Sequence, residues 1–237
     1  FALAYYNLGY IMCKLGKLNE GEKNYKKAIE FKSDYTAAHF NLATMLEEMS
    51  RLEEAEESYK KAIKFQPDFL YAHYNLGNMF SKLGRLDEAV VSFSKTIELK
   101  PSFGLALLSR GQILFDKSEF ELSLIDFDIC NTDDSRSRAL SSLYSLGRID
   151  EIYKRIKINS NLDDTNIRIS AFSSFIEFKE KKQTNHNFCK NPIDFINYSN
   201  ISSYLKNYTE FVNEVINEFF KINTKWEPSG KTTVKGF

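Results

Sequence analysis

Cysteine is scarce: the 237-residue chain holds three, at Cys13, Cys130 and Cys189. They are odd in number, far apart and never in a C-x-x-C pair, which argues against a disulfide framework or a cysteine-built zinc site. Buried thiols in a reducing compartment are the simplest reading, so a cytoplasmic location is expected. Charge of one sign is not in excess either, with 32 Lys plus Arg against 32 Asp plus Glu. A neutral balance lacks the footprint that binding to nucleic acid or an anionic membrane needs. No apolar run reaches the roughly 18 residues of a membrane span. Neither a nucleic acid nor a membrane is therefore expected as partner. Glycine-rich phosphate loops are missing too: Gly230-Lys231-Thr232-Thr233 lacks the upstream glycine of that motif. No Ser/His/Asp set suggests itself.

What is present is a period of 34 residues, and internal repeats decide a fold before anything else does. Gly9, Ala43, Gly77 and Gly111 are each 34 apart, as are Tyr25, Tyr59, Phe93 and Phe127. Ala28, Ala62, Thr96 and Cys130 keep the step, and so do Gly21, Ala55, Ala89 and Ser123. Within one unit, Leu70 to Phe103, apolar residues at spacings of three and four predict two amphipathic helices. Leu76, Gly77 and Phe80 lie on the first, and Ala89, Phe93 and Ile97 on the second. Small residues at Gly77 and Ala89 let the two backbones approach, and Phe93 fills the space beside them. Gly84 supplies a helix stop, and Pro67 and Pro101 mark the ends of second helices. Asp87 falls in a first turn, where a carboxylate suits the helix dipole.

The stretches AYYNLGYIMCKLGKLNEGEKNYKKAIE, AAHFNLATMLEEMSRLEEAEESYKKAIKFQPDF and YAHYNLGNMFSKLGRLDEAVVSFSKTIELKPSF resemble tetratricopeptide repeats. The resemblance covers residues 2–135 in four units: 2–35, 36–69, 70–103 and 104 to about 135. Unit four is looser, with Arg110 where Leu76 stands in unit three and Ser123 in place of Ala89. The implied fold is all-α: a right-handed α-solenoid of helix pairs, with a concave groove lined by the first helix of each pair. A solenoid needs capped ends, because a terminal unit exposes one apolar face. Residues 136–182 read as a degenerate helical capping extension. LSSLYSLGRIDEIYKRI keeps a turn like those of the repeats, and DDTNIRISAFSSFIEFKEKK reads as one helix with Phe172, Phe175, Ile176 and Phe178 available for packing. Unit one begins without a cap, which points to a longer array.

From residue 183 the texture changes to an Asn- and Ser-rich segment outside the 34-residue register. Residues 183–237 read as a partial, mixed C-terminal segment, the amino-terminal piece of a second domain. Asp194 to Tyr198 suggests a short strand and Asn207 to Ile222 an amphipathic helix. The words FCKNPIDFI and WEPSGKTTVKGF resemble the start of 2-oxoglutarate and iron(II)-dependent oxygenases that follow tetratricopeptide arrays in bacterial and phage proteins. That resemblance, over about residues 187–237, implies iron(II) and 2-oxoglutarate as cofactors of a longer protein, in which a His-x-Asp/Glu pair and a distant His hold the metal. None of the three histidines here carries that pair: His39, His73 and His186 are followed two places on by Asn41, Asn75 and Phe188. His39 and His73 occupy equivalent repeat positions and read as packed structural side chains. No catalytic residue, metal ligand or cofactor is therefore expected within the chain itself. The run Glu53, Glu54, Glu56, Glu57 reads as a solvated helix face.

One constellation carries a mechanism. Asn7, Asn41 and Asn75 recur every 34 residues on the first helices, beside the core columns. They resemble the asparagine ladder in the repeats of O-linked N-acetylglucosamine transferase, whose amides hold the backbone of an extended peptide. A carboxamide both donates and accepts, so it can pair with any peptide unit. Alternatively, these amides bond neighbouring groups within the stack. Around the ladder the expected groove positions are Tyr6, Tyr10, Phe40, Thr44, Tyr71, Tyr74, Asn78, Leu108 and Gln112. Aromatics with polar tips suit a groove that grips extended chains. A clamp for a terminal carboxylate would need converging cations, and only Lys14 and Lys82 are in place, with Glu47 and Glu48 between them. The expected function is an interaction module for a protein or peptide. The alternative is the substrate-recruiting part of an oxygenase whose catalytic core lies beyond residue 237.

Overall fold

A computed structural model of the chain describes residues 1–163 and 166–184; among these it has eleven α-helices and no strand. The strand expected at Asp194 to Tyr198, the helix at Asn207 to Ile222, and His186, Cys189 and the oxygenase-like words at the carboxyl end all lie outside the described residues. The chain divides into two units, Phe1–Cys130 and Asn131–Phe237.

The first unit is four helix pairs. They are α1 (Ala2–Lys14) with α2 (Leu18–Phe31), α3 (Thr36–Glu48) with α4 (Leu52–Phe65), α5 (Leu70–Lys82) with α6 (Leu86–Leu99), and α7 (Gly104–Asp116) with α8 (Phe120–Cys130). Each second helix also packs on the next first helix, α2 on α3, α4 on α5 and α6 on α7. The columns seen in the sequence form the core: Tyr25, Tyr59, Phe93 and Phe127 are fully buried. Where the small residue of the first helix is glycine, at Gly9, Gly77 and Gly111, the ring of the second helix lies against it. A Cβ at Gly77 would stand 2.8 Å from the Phe93 ring, and one at Gly111 2.7 Å from Phe127.

The turn inside each pair repeats as well. Gly16, Ser50, Gly84 and Ser118 all adopt left-handed backbone, with φ of 75°, 59°, 72° and 63°. This lets the following N–H reach back to a first-helix carbonyl: Lys17 to Met12, Arg51 to Leu46 and Arg85 to Phe80, each at 2.9 Å, and Glu119 to Leu114 at 2.8 Å. Such a reversal closes a helix end by satisfying its last carbonyls. Glycine takes that backbone freely, whereas a Cβ there costs about 1–2 kcal/mol. Ser50→Gly and Ser118→Gly are each expected to stabilise the unit by about 0.5–1 kcal/mol, the relief of strain exceeding glycine's extra freedom when unfolded. Urea unfolding measures this; a loss of stability in both variants would mean the turn is not strained.

The described part of the second unit is three helices, α9 (Asp133–Ser145), α10 (Ile149–Ile158) and α11 (Ile167–Glu180). Thr132 and Ser135 form a capping box at the start of α9, and Asn166 caps α11. Gly147, with φ of 71°, makes the turn that the sequence predicted between α9 and α10. Leu143, Ile152, Ile156, Phe172 and Ile176 form the core, and Phe175 lies edge-on to Tyr144. Buried Asp163 accepts from Arg136 at 2.6 and 2.8 Å and ties the α10–α11 loop to α9.

Candidate functional site

Asn7, Asn41 and Asn75 stand on α1, α3 and α5 at equivalent positions. Asn41 donates from Nδ2 to the Tyr6 hydroxyl at 2.9 Å. Asn75 donates from Nδ2 to the Tyr59 hydroxyl at 3.5 Å. Chemistry sets that direction. The Tyr59 hydroxyl gives its proton to Glu47 Oε2 at 3.1 Å, and a carboxylate only accepts, so the phenol oxygen is left to receive the amide. Burial pushes the hydroxyl pKa values of Tyr25 and Tyr59 well above the ordinary value, so both stay protonated. The amide is thus divided. Its NH2 end is spent inside the stack, while Oδ1 of Asn41 and of Asn75 has no partner among the described residues. Asn7 is exposed and has no side-chain bond among those residues. In unit four the ladder position is Ser109, and Phe93 in the tyrosine column offers no hydroxyl.

The expected groove residues fall into two groups. Tyr6, Phe40 and Tyr74 are half-buried and packed inward. Tyr6 meets Tyr25 and Tyr35, Phe40 meets Tyr59 and Phe69, and Tyr74 meets Phe93 and Phe103, with ring centroids 4.9–6.0 Å apart. Leu108 holds the same register position. Tyr10 and Tyr71 remain exposed. Thr44 donates to the Phe40 carbonyl at 3.1 Å, Gln112 donates to Asp116 at 2.8 Å, and Asn78 is half-buried. Cations do not gather here: Lys14, Glu48, Lys82 and Asp116 alternate in sign at the 34-residue step, and Lys82 is held by Glu47 at 2.7 Å.

The histidines serve the linkers between pairs. His39 Nε2 bonds the Ser33 carbonyl and His73 Nε2 the Pro67 carbonyl, both at 2.9 Å, and the His39 ring stacks on Phe65. Among the described residues no group of His, Cys, Asp and Glu is arranged to hold a metal, and no helix is long and apolar enough to cross a membrane.

Residues 2–35 and 70–103 each match a model of the tetratricopeptide repeat, and residues 45–84 match a TPR repeat model. The chain carries tetratricopeptide repeats. No curated protein sequence matches it. Among solved structures, a MamA protein is similar at 17% identity, over 66% of this chain and 88% of that one, with a TM-score of 0.59. YrrB, a TPR protein with an unusual peptide-binding site, is similar at 20% identity, over 67% of this chain and 86% of that one, with a TM-score of 0.55. At these identities the likeness shows a shared all-α repeat fold.

Two features of the tetratricopeptide units escape the sequence reading. A third aromatic column, Tyr35, Phe69 and Phe103, closes each linker back onto the first-helix ring of the pair before it, Tyr6, Phe40 and Tyr74 in turn. The second is ionic. Arg51 grips Glu22 of the preceding pair at 2.6 and 3.1 Å and Glu54 of its own pair at 2.6 Å. Arg85 repeats this with Glu56, at 2.5 and 3.2 Å, and Glu88 at 2.6 Å. The guanidinium groups hold the carboxyls of Glu22 and Glu56 below the usual range. Of the run read as a solvated face, Glu53, Glu54 and Glu57 are exposed, whereas Glu56 departs from that reading and is drawn into the inter-repeat staple with Arg85. The signal was present, since Glu22, Arg51 and Glu54 recur as Glu56, Arg85 and Glu88 at the 34-residue step. Charge alone, without the inter-helix geometry, does not connect them.

Proposed function

We propose that the first-helix face of the tetratricopeptide units binds an extended segment of another protein. The unspent Oδ1 atoms of Asn41 and Asn75, one per unit, carry this reading. An amide oxygen anchored through its own NH2 group is pre-oriented to accept a backbone N–H of a chain laid along the face. Asn7 extends the row, and exposed Tyr10 and Tyr71 offer rings beside it. The alternating charges and the Lys82–Glu47 pair favour an internal segment over a free terminal carboxylate. The peptide-binding site of YrrB, a protein of the same fold, is in keeping with this use.

Dodecapeptides selected from a random library on the intact chain provide the test. A backbone hydrogen bond contributes about 0.5–1.5 kcal/mol, so Asn41→Ala with Asn75→Ala is expected to weaken selected peptides about 5- to 150-fold. Tm should change little, because the Asn75 bond is long at 3.5 Å and the Tyr59 hydroxyl keeps Glu47, while half-buried Tyr6 can take water in place of Asn41. If no peptide is selected, or if the double variant binds every selected peptide as tightly as the parent, the reading fails.

A further inference from the structure

We infer that the outer face of α1 is a docking surface for one amphipathic helix of the second-helix type, bearing a glutamate placed to pair with Lys17. The repeat itself supplies the comparison. On α1 that face is Ala4, Leu8 and Ile11, with Leu8 39% and Ile11 50% exposed. The equivalent residues of α3 and α5 are Ala38, Leu42 and Met45, and Ala72, Leu76 and Met79, and none exceeds 5% exposure. Half-buried Met12 likewise stands where Leu46, Phe80 and Leu114 are buried. On α3, α5 and α7 the preceding second helix covers this face, in turn α2, α4 and α6.

Charge makes the surface specific. Lys17 holds the register position of Arg51 and Arg85, each of which crosses to a glutamate on the covering helix, Glu22 or Glu56. Among the described residues Lys17 meets only Glu20 of its own α2, at 3.5 Å and exposed. A helix seated on Leu8 and Ile11 as α4 sits on Leu76 and Met79 would bring its own glutamate to Lys17. The helix α8 fits less well as occupant, because Leu124 stands in the register place of Glu22 and Glu56. An occupant resembling α4 is therefore favoured over α8 of a second copy.

The test extends the intact chain. A second copy of residues 36–68 placed directly ahead of Phe1 keeps the register, since Phe1 then takes the place of Phe69 and Lys17 that of Arg85. The extended protein is expected to melt about 5 °C or more above the parent. Ile11→Lys should be nearly silent in the parent and should remove most of that gain in the extended protein. Changing the copied Glu56 to Lys should remove part of it. An unchanged Tm, with Ile11→Lys equally silent in both backgrounds, would overturn the inference. So would a parent chain that sediments as a dimer and becomes monomeric with Ile11→Lys, which would make a second copy the occupant. If the extended protein does not fold, sedimentation of the parent and of its Ile11→Lys variant with a stapled α4 peptide, residues 52–65, decides: binding lost in the variant supports the surface, and no binding to the parent overturns it.

Discussion

Asp126→Ser is expected to destabilise the first unit by about 3–5 kcal/mol, because it leaves a guanidinium largely inside the protein without its counter-charge. Asp126 is 1% exposed, and its two oxygens accept from Arg110 Nε at 2.8 Å and Nη2 at 2.7 Å. The remaining guanidinium nitrogen donates to Ser94 Oγ at 2.9 Å. The repeat shows what the pair replaces. Arg110 stands where units two and three have Leu42 and Leu76, and Asp126 where they have Ser58 and Ser92. Arg110→Leu in the Asp126→Ser background reinstates the leucine and serine of those units and is expected to return stability to the parent level or above it. A buried ion pair is costly to break from one side, yet apolar packing replaces it without loss. Urea unfolding of the two single variants and the double completes the cycle. A cost below about 1 kcal/mol for Asp126→Ser would show that water reaches the guanidinium and replaces the carboxylate.

Phe93→Ala is expected to cost about 3–5 kcal/mol, the range for deleting a buried aromatic ring from a close-packed core. The Phe93 ring is fully buried between α5 and α6, lies on the Gly77 backbone and contacts Tyr74, which in turn packs on Phe103. Removing it opens a void where a glycine stands opposite, so Gly77 offers no side chain to fill the space. Phe93→Tyr separates volume from polarity. Units one and two carry tyrosine here, and Tyr59 finds Glu47 for its hydroxyl, whereas Ser81 takes the glutamate's place in unit three. The tyrosine variant should therefore cost far less than alanine. Thermal unfolding of the two variants is the measurement; an alanine cost no larger than the tyrosine cost would remove the ring from the core.

The columns that the sequence displays are those whose residue type is dictated by packing. A ring beside a backbone requires a small residue opposite, and the requirement recurs wherever the helix pair recurs. The asparagines were visible for the same reason, but their state was not. Whether a carboxamide bonds the stack or remains open depends on which hydroxyl lies within 3.5 Å, and Tyr6 is 35 residues away from Asn41 in the chain. Similarly, the sequence places Tyr6, Phe40 and Tyr74 at groove positions, and only the structure shows the linker aromatics Tyr35, Phe69 and Phe103 packed against them, leaving them half-buried.

The sequence by itself determined the all-α class, the 34-residue unit, the helix pairs and the aromatic columns, because periodic burial leaves a periodic mark on residue type. The tertiary structure alone decided how the charges are used. Glu22 and Glu56 became staples, Asp126 became the buried partner of Arg110, and Lys17 was left with only Glu20 of its own helix among the described residues. Coulomb pairing depends on distance across the inter-repeat gap, and a linear sequence carries residue type but not that distance.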